Sequence, residues 1–275
     1  MTFTKITEQP SHYAHLDKMT TLELLQAINA EDCTVPHAVA RVLPQIARLA
    51  DMVAGKIGRG GRLFYVGAGT SGRLGVLDAS ELPPTYGVPP TLVQGIIAGG
   101  DTALRSAVEN AEDDDRKAWQ ELEERNINPL DTVCGIAASG TTPYVVGALR
   151  DARAHGVATA CITSNPGAPV AGHADIAIEV AVGPEVVTGS SRMKSGTAQK
   201  LILNMLSTAI MIRLGRVSGS SMVYMQPTNH KLVERGSHIL ARELDITPEQ
   251  ARPLLLKYGS VAAAVLAIKG DEAEP

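Results

Sequence analysis

"RLFYVGAGTSGRLGVLDASEL", residues 62–82, decides how the chain folds. Its first eight residues are a short apolar run, rich in β-formers, that ends in glycines, and the remainder is compatible with a helix. A strand that turns through glycines into a helix is the repeating unit of a doubly wound parallel sheet. In such a turn, backbone N–H groups and the positive end of the helix meet an anion. Gly67, Gly69 and Gly72 fit a dinucleotide fingerprint, whereas Thr70 and Ser71 put hydroxyls where a bare phosphate sits. Either reading places negative charge at residues 67–72.

The same pattern extends outward. "TLVQGIIAGG" (91–100) repeats strand then glycine, and "DTALRSAVENAEDDDRKAWQELEER" (101–125) reads as helix. "DTVCGIAASGTTPYVVGALRDARAHG" (131–156) is strand, hydroxyl-rich loop and helix; "TACITSN" (159–165) and "ADIAIEV" (174–180) are further strands. "GTAQKLILNMLSTAIMIRLG" (196–215) is apolar on nearly every face, as a helix buried in a core or an interface is. Upstream, 16–32 and 35–57 carry apolar residues at helical intervals, with Thr20 or Thr21 as N-cap. Downstream, "TPEQARPLLLKYGSVAAAVLAIKG" (247–270) is two short amphipathic stretches separated by a glycine, and the closing "DEAEP" is expected to fray. Strands alternating with helices predict an α/β fold: a doubly wound parallel sheet flanked by helices, with N-terminal helices and a small C-terminal helical appendix. The corresponding domains are a helical lead (1–52), the sheet domain (53–216) and a C-terminal helical segment (217–275).

Composition narrows the function. With 25 Lys and Arg against 29 Asp and Glu, the net charge of −4 provides no basic footprint for nucleic acid, and 3% aromatic content provides no base-stacking platform. Cys33, Cys134 and Cys161 are an odd number without CxxC spacing, which argues against a disulfide framework or a zinc site and for a reducing cytoplasm. The N-terminus lacks the basic flank and apolar run of a signal peptide, and no window reaches the length of a membrane span. The seven histidines lack metal-ligand spacing, so no metal is called for.

The glycine loop can now be weighed. A dinucleotide site wants an acid about 20 residues past the fingerprint, at the end of the next strand; Asp101 falls well beyond that. A second loop of the same chemistry, "AASGTTP" (137–143), also joins a strand to a helix. Together, Gly69, Thr70, Ser71, Ser139, Thr141 and Thr142 surround a terminal phosphomonoester with neutral donors, which describes a sugar-phosphate site. "GPEVVTGSSRMKSGT" (183–197) adds Ser190 and a cation, Lys194, that can close over the phosphate, although Arg192 and Lys194 equally suit a solvated turn. Glycine turns with Ser or Thr also often only cap helices. Two carboxylates stand out by position, Glu81 after "DAS" and Glu112 in "AVENAEDDD"; acids at such places commonly just face solvent. "AASGT" lacks the second glycine of a nucleophile elbow, against an acyl-transfer serine.

Across "GRLFYVGAGTSGRLGVLDASELPPTYGVPP", "IAGGDTALRSAVENAEDD", "GIAASGTTPYVVGALR", "VGPEVVTGSSRMKSGTAQKLILNMLSTAIMIRLGRV" and "TNHKL", the chain resembles the N-acetylmuramic acid 6-phosphate etherases, built on the sugar isomerase (SIS) domain. The first motif is shared with glucokinase regulatory proteins, which are longer and contain two such domains. The resemblance implies a lyase that removes D-lactate from N-acetylmuramate 6-phosphate and leaves N-acetylglucosamine 6-phosphate, by elimination and then hydration. It implies catalytic roles for Glu81, in the "DASE" motif, and Glu112, in the "AED" motif, a cofactor-free site and a homodimer. An acid and a base must be ready together, so Glu81, beside Leu82, Pro83 and Pro84, is expected in the more apolar surroundings and more readily protonated. The chain departs from the family pattern at Thr141 (usually Arg), in "TEQPSHY" (7–13), and at Leu82 and Tyr224; both glutamates are intact. The alternatives are an aldose–ketose sugar-phosphate isomerase, a non-catalytic sugar-phosphate-binding regulator, and a dinucleotide oxidoreductase.

Overall fold

The computed structural model describes residues 3–271; residues 272–275 of the tail expected to fray lie outside it. The chain divides into two compact units, one of Met1–Ala79 with Thr91–Ile210 and one of Ser80–Pro90 with Met211–Pro275. The N-terminal helices therefore fall in the same unit as the sheet.

In the first unit five strands pair in parallel: β1 (Leu63–Gly67), β2 (Val93–Ile97), β3 (Thr132–Ile136), β4 (Ala158–Thr163) and β5 (Ile176–Glu179), in the order β2-β1-β3-β4-β5. Strands β1 and β3 are buried along their whole length, as sheets covered on both faces require. Gly67 pairs with Ile136 across the β1–β3 ladder. The chain steps one way from β1 to β2 and the other way from β3 to β4, so the β1–β3 boundary is the topological switch point, where the carboxyl ends of an open sheet leave a crevice. Both hydroxyl-rich loops leave from those two ends.

One face of the sheet contributes Phe64, Val66, Val133 and Cys161 to a core with Tyr144, Val145, Ala148 and Leu149 of α7 (Pro143–Ala154) and Ala118 and Leu122 of α6 (Lys117–Glu123). Each large apolar side chain buried there contributes about 1.5–3 kcal/mol. Upstream, α1 (Thr21–Asp32) starts at a Thr20–Glu23 capping box. The 35–57 stretch splits into α2 (Val35–Ala40) and α3 (Leu43–Ile57), because Pro44 cannot continue a helix but suits a first turn.

One helix expectation needs correction. Residues 101–125 are not one helix: α5 (Thr102–Arg105) and α6 are separated by an irregular segment, with Asn110 at φ 60° and Asp114 Oδ1 accepting from Arg116 N (2.9 Å) and Lys117 N (3.1 Å). The Asn and Asp side chains there compete with the helix for backbone donors. Helix α8 (Lys194–Arg213) buries Ile202, Leu203, Leu206 and Ile210 and, in the single chain, exposes Lys200, Asn204, Met205 and Thr208.

The second unit contains α9 (His230–Leu244), α10 (Pro248–Tyr258) and α11 (Val261–Asp271) around Ile239, Leu240, Ala251, Leu255, Val261 and Ala264. As the glycine between the two stretches suggests, Gly259 ends α10 in the left-handed region (φ 77°).

Candidate active site

Strand β1 passes into α4 (Gly69–Tyr86) through the opening glycine loop. A Cβ on Gly67 would lie 2.7 Å from Gly72 N, and one on Gly72 would lie 2.8 Å from Gly67 O. These two glycines thus serve strand–helix packing, whatever the ligand. The first helical bond runs from Gly72 N to Ala68 O (3.2 Å), so the amides of Gly69, Thr70 and Ser71 open the helix, where an anion is favoured. In front of them is a cleft of about 250 Å³ bounded by Gly69, Thr70, Ser71, Ser139, Thr142, Glu112 and Ser191. Its lining includes no Lys or Arg, and its one charged side chain is Glu112. A cleft of this size fits a phosphate and part of a sugar rather than a dinucleotide.

The second loop is held from behind. Asn165, fully buried, donates to Ser139 O (3.0 Å) and exchanges bonds with Thr7 (Thr7 N to Oδ1, 3.1 Å; Nδ2 to Thr7 Oγ1, 3.0 Å). Thr141 donates through its N–H and its hydroxyl to Ser139 Oγ, both at 3.2 Å. Thr142 is the N-cap residue of α7, yet its side chain makes no capping bond, so its hydroxyl is not spent on the helix. In the first loop, Ser71 Oγ donates to Gln199 Oε1 at 2.9 Å. A Cβ on Gly196 would lie 3.4 Å from Thr70 Cγ2, so the start of α8 abuts this loop and brings Ser191 to the cleft. Glu112 is carried by the irregular 106–116 segment. Its carbonyl accepts from Tyr144 N (3.0 Å) at the start of α7, and nearby Arg150 binds Asp115 at 2.8 Å.

Gly69, Thr70, Ser71, Ser139, Thr142 and Glu112 all line the cleft. Thr141 does not; it orients Ser139. Ser191 lines the cleft in place of Ser190, whose N–H is bonded back to Val187 O (2.9 Å). Lys194 is engaged elsewhere: it is 2% exposed, its Nζ is 2.5 Å from Glu31 Oε2, and it borders a separate cavity with His12 and Arg41. Burial alone would raise the Glu31 pKa, but the Lys194 ammonium and, after it, His12 together outweigh burial and hold the carboxyl below its usual range. Glu81 belongs to the second unit, on the part of α4 past Ala79, and is exposed while Leu82 is buried. The apolar surroundings expected for Glu81 are therefore not supplied by its neighbour, because successive helical side chains point about 100° apart.

Sequence reasoning missed Gln199 and Asn165, and it also missed Asp78. The Asp78 carboxylate is buried and accepts from Tyr65 Oη (3.2 Å), Asn204 Nδ2 (3.0 Å) and Ser207 Oγ (3.1 Å), fastening α4 to β1 and α8. Burial lifts its pKa above the ordinary carboxylate range, against the pull of the three donors. The only signal for these residues was a polar side chain within an apolar or turn-rich stretch. Among the described residues, no three His, Cys, Asp or Glu side chains group as a metal site.

The fold is that of solved sugar-phosphate proteins. A phosphoheptose isomerase from Francisella tularensis superposes with a TM-score of 0.57 at 20% identity, over 70% of this chain and 100% of that one. The Vibrio vulnificus NanR protein complexed with ManNAc-6P gives 0.52 at 14% identity, over 71% of this chain and 65% of that one. Residues 45–153 match the glucokinase regulatory protein N-terminal SIS domain, and residues 118–209 match the SIS domain. Among curated relatives, the N-acetylmuramic acid 6-phosphate etherase of Bacteroides thetaiotaomicron is 61% identical over 98% of this chain and 97% of its own length. That of Porphyromonas gingivalis is 61% identical over 97% of each. The chain belongs to the N-acetylmuramic acid 6-phosphate etherase family.

Proposed function

We propose that the chain is a lyase that cleaves the D-lactyl ether of N-acetylmuramic acid 6-phosphate, releasing D-lactate and N-acetylglucosamine 6-phosphate. The observation that supports this most is the cleft at the switch point, lined by neutral hydroxyls and helix-start amides and bearing one carboxylate, Glu112. Thr70, Ser71, Ser139 and Thr142 take the phosphate oxygens. A phosphate dianion held by donors and two helix starts needs no cation in the lining.

The ether oxygen is a poor leaving group, but in the ring-opened sugar it lies β to the aldehyde. Removing the C2 proton lets the C3–O bond break, and water then adds to C3. Glu112, at the phosphate cleft, is the group we assign to the C2 proton. Glu81 protonates the departing lactate oxygen and afterwards helps deliver water. Its carboxylate is exposed in the single chain, and a second copy of the chain, in a homodimer, completes the site around it. We place the enzyme in the cytoplasm, in keeping with three free cysteines, two of them buried.

Turnover of N-acetylmuramic acid 6-phosphate in oxygen-18 water tests the scheme. D-lactate must appear, and the label must enter the C3 hydroxyl of the sugar product. Label in the lactate, or no lactate at all, rejects elimination and hydration.

A further inference from the structure

Gln199 is 1% exposed and sits on α8 behind the phosphate loop. Its Oε1 accepts the Ser71 hydroxyl proton, while its Nε2 has no hydrogen-bond partner among the described residues. Ser195, one turn earlier on the same face of α8, likewise has a buried hydroxyl without a partner among the described residues. A buried amide donor left unpaired is costly, more so than an unpaired acceptor. The arrangement also works against an anion in the cleft, since a serine that has given its proton to Gln199 presents only lone pairs to a phosphate.

One motion resolves both problems. Turning the Gln199 amide by half a revolution puts Nε2 where Oε1 was, so that the amide donates to Ser71 Oγ. The unpaired group becomes an acceptor, and the Ser71 proton is released toward the cleft. We infer that Gln199 is a positioning residue that reverses the hydrogen-bond polarity of Ser71 when the phosphate of the substrate arrives. The resting arrangement keeps Ser71 satisfied in the empty cleft, and the phosphate-bound one makes it a donor, its oxygen polarised by the amide behind it. Glutamine suits this place because its two ends differ in hydrogen-bonding sense but hardly in size. The inference rests on the reading of the cleft as a phosphate site.

Inorganic phosphate is the probe. In the full-length protein, the side-chain amide signals of Gln199, identified in nitrogen–proton spectra by their loss in Gln199→Met, shift and become slower to exchange as phosphate is added. In Ser71→Ala the same signals stay where they are. By calorimetry, losing one charge-assisted donor in Ser71→Ala weakens phosphate about tenfold. Gln199→Met weakens it less, about threefold to tenfold, and the double variant binds no more weakly than Ser71→Ala, since Gln199 acts only through Ser71. With substrate, the change in Gln199→Met falls on KM rather than kcat. Additive losses in the double variant, or amide signals unmoved by phosphate, overturn the inference; if Gln199→Met does not fold, sequential assignment of the parent identifies the same signals, and the spectra of the parent and Ser71→Ala still decide it. If Ser71→Ala and Ser139→Ala both bind phosphate as the parent does, the phosphate reading of the cleft has failed instead.

Discussion

Gly140→Ala probes how the second loop is held. Gly140 has φ 69°, and a Cβ there would come within 2.4 Å of Ala168 Cβ, 2.7 Å of Thr163 Oγ1 and 3.3 Å of Val170 Cγ1. Ala168 and Val170 belong to the buried cluster under α7, and Thr163 Oγ1 is bonded to Ala138 O (3.3 Å), so none of the three gives way freely. The left-handed backbone costs a residue with a Cβ about 1–2 kcal/mol, and forcing a methyl into a packed site costs about 1–3 kcal/mol more. The sum, about 2–5 kcal/mol, is a large part of the 5–15 kcal/mol typical of a whole domain. Trp119, the only tryptophan, stacks on His155 at 4.4 Å in the first unit, so its fluorescence during urea unfolding reports the unit that holds Gly140. The midpoint should fall with little change in slope. Gly156→Ala is the control, because Gly156 has φ 75° but nothing within 4 Å of its Cβ position, so it incurs the backbone cost alone. Equal losses in the two variants would refute the steric argument and show that the loop relaxes around the methyl. Since Ser139 and Thr142 flank Gly140, the KM of Gly140→Ala should also rise.

The other predictions concern the glutamates, the loop support and two ion pairs. Glu112→Gln and Glu81→Gln should each lower kcat by about 10²–10⁴-fold; a variant that keeps the kcat of the parent would remove that glutamate from the proposed chemistry. Thr141→Val removes one of the two bonds that orient Ser139 and should raise KM by about threefold to tenfold with kcat nearly unchanged, whereas an unmoved KM would show that the hydroxyl does no orienting. Asp131→Ala should cost about 3–5 kcal/mol by urea titration, because this fully buried carboxylate accepts from Arg62 N (2.8 Å), Nε (3.1 Å) and Nη2 (2.7 Å) as well as Asn128 N (2.9 Å). The depressed pKa of Glu31 means that its pairing with Lys194 stabilises the fold above the unfolded value of about 4.3, and this contribution is lost as pH falls through the lower folded value. Stability curves of Glu31→Gln and the parent should therefore draw together as pH falls below the unfolded value of about 4.3; a gap that does not narrow on acidification would contradict the ion-pair assignment.

Much of this was legible because it depends on local backbone physics. The strand-to-helix glycine turn specified a parallel sheet, and the two hydroxyl loops at 67–72 and 137–143 leave adjacent strand ends and reach one cleft. What could not be read was decided by partners distant in the chain. Lys194 looked like a phosphate clamp until Glu31, in another helix, took its ammonium. Thr141 bonds to Ser139 Oγ instead of lining the cleft, and Ser191 lines it where Ser190, one step earlier in a tight turn, does not. The acidic 106–116 segment read as helix because its apolar spacing is helical, but Asn110 and Asp114 offer the backbone a competing set of bonds, and it is this loss of helix that delivers Glu112 to the cleft. Glu81 marks the other limit. Periodicity places it on a helix, and the structure leaves it exposed while Leu82 beside it is buried, because successive side chains on a helix point about 100° apart. If a second copy of the chain completes the site around Glu81 as proposed, the rate per active site should fall as the protein is diluted through the range where dimers dissociate, and a rate per site that does not change with concentration would refute it.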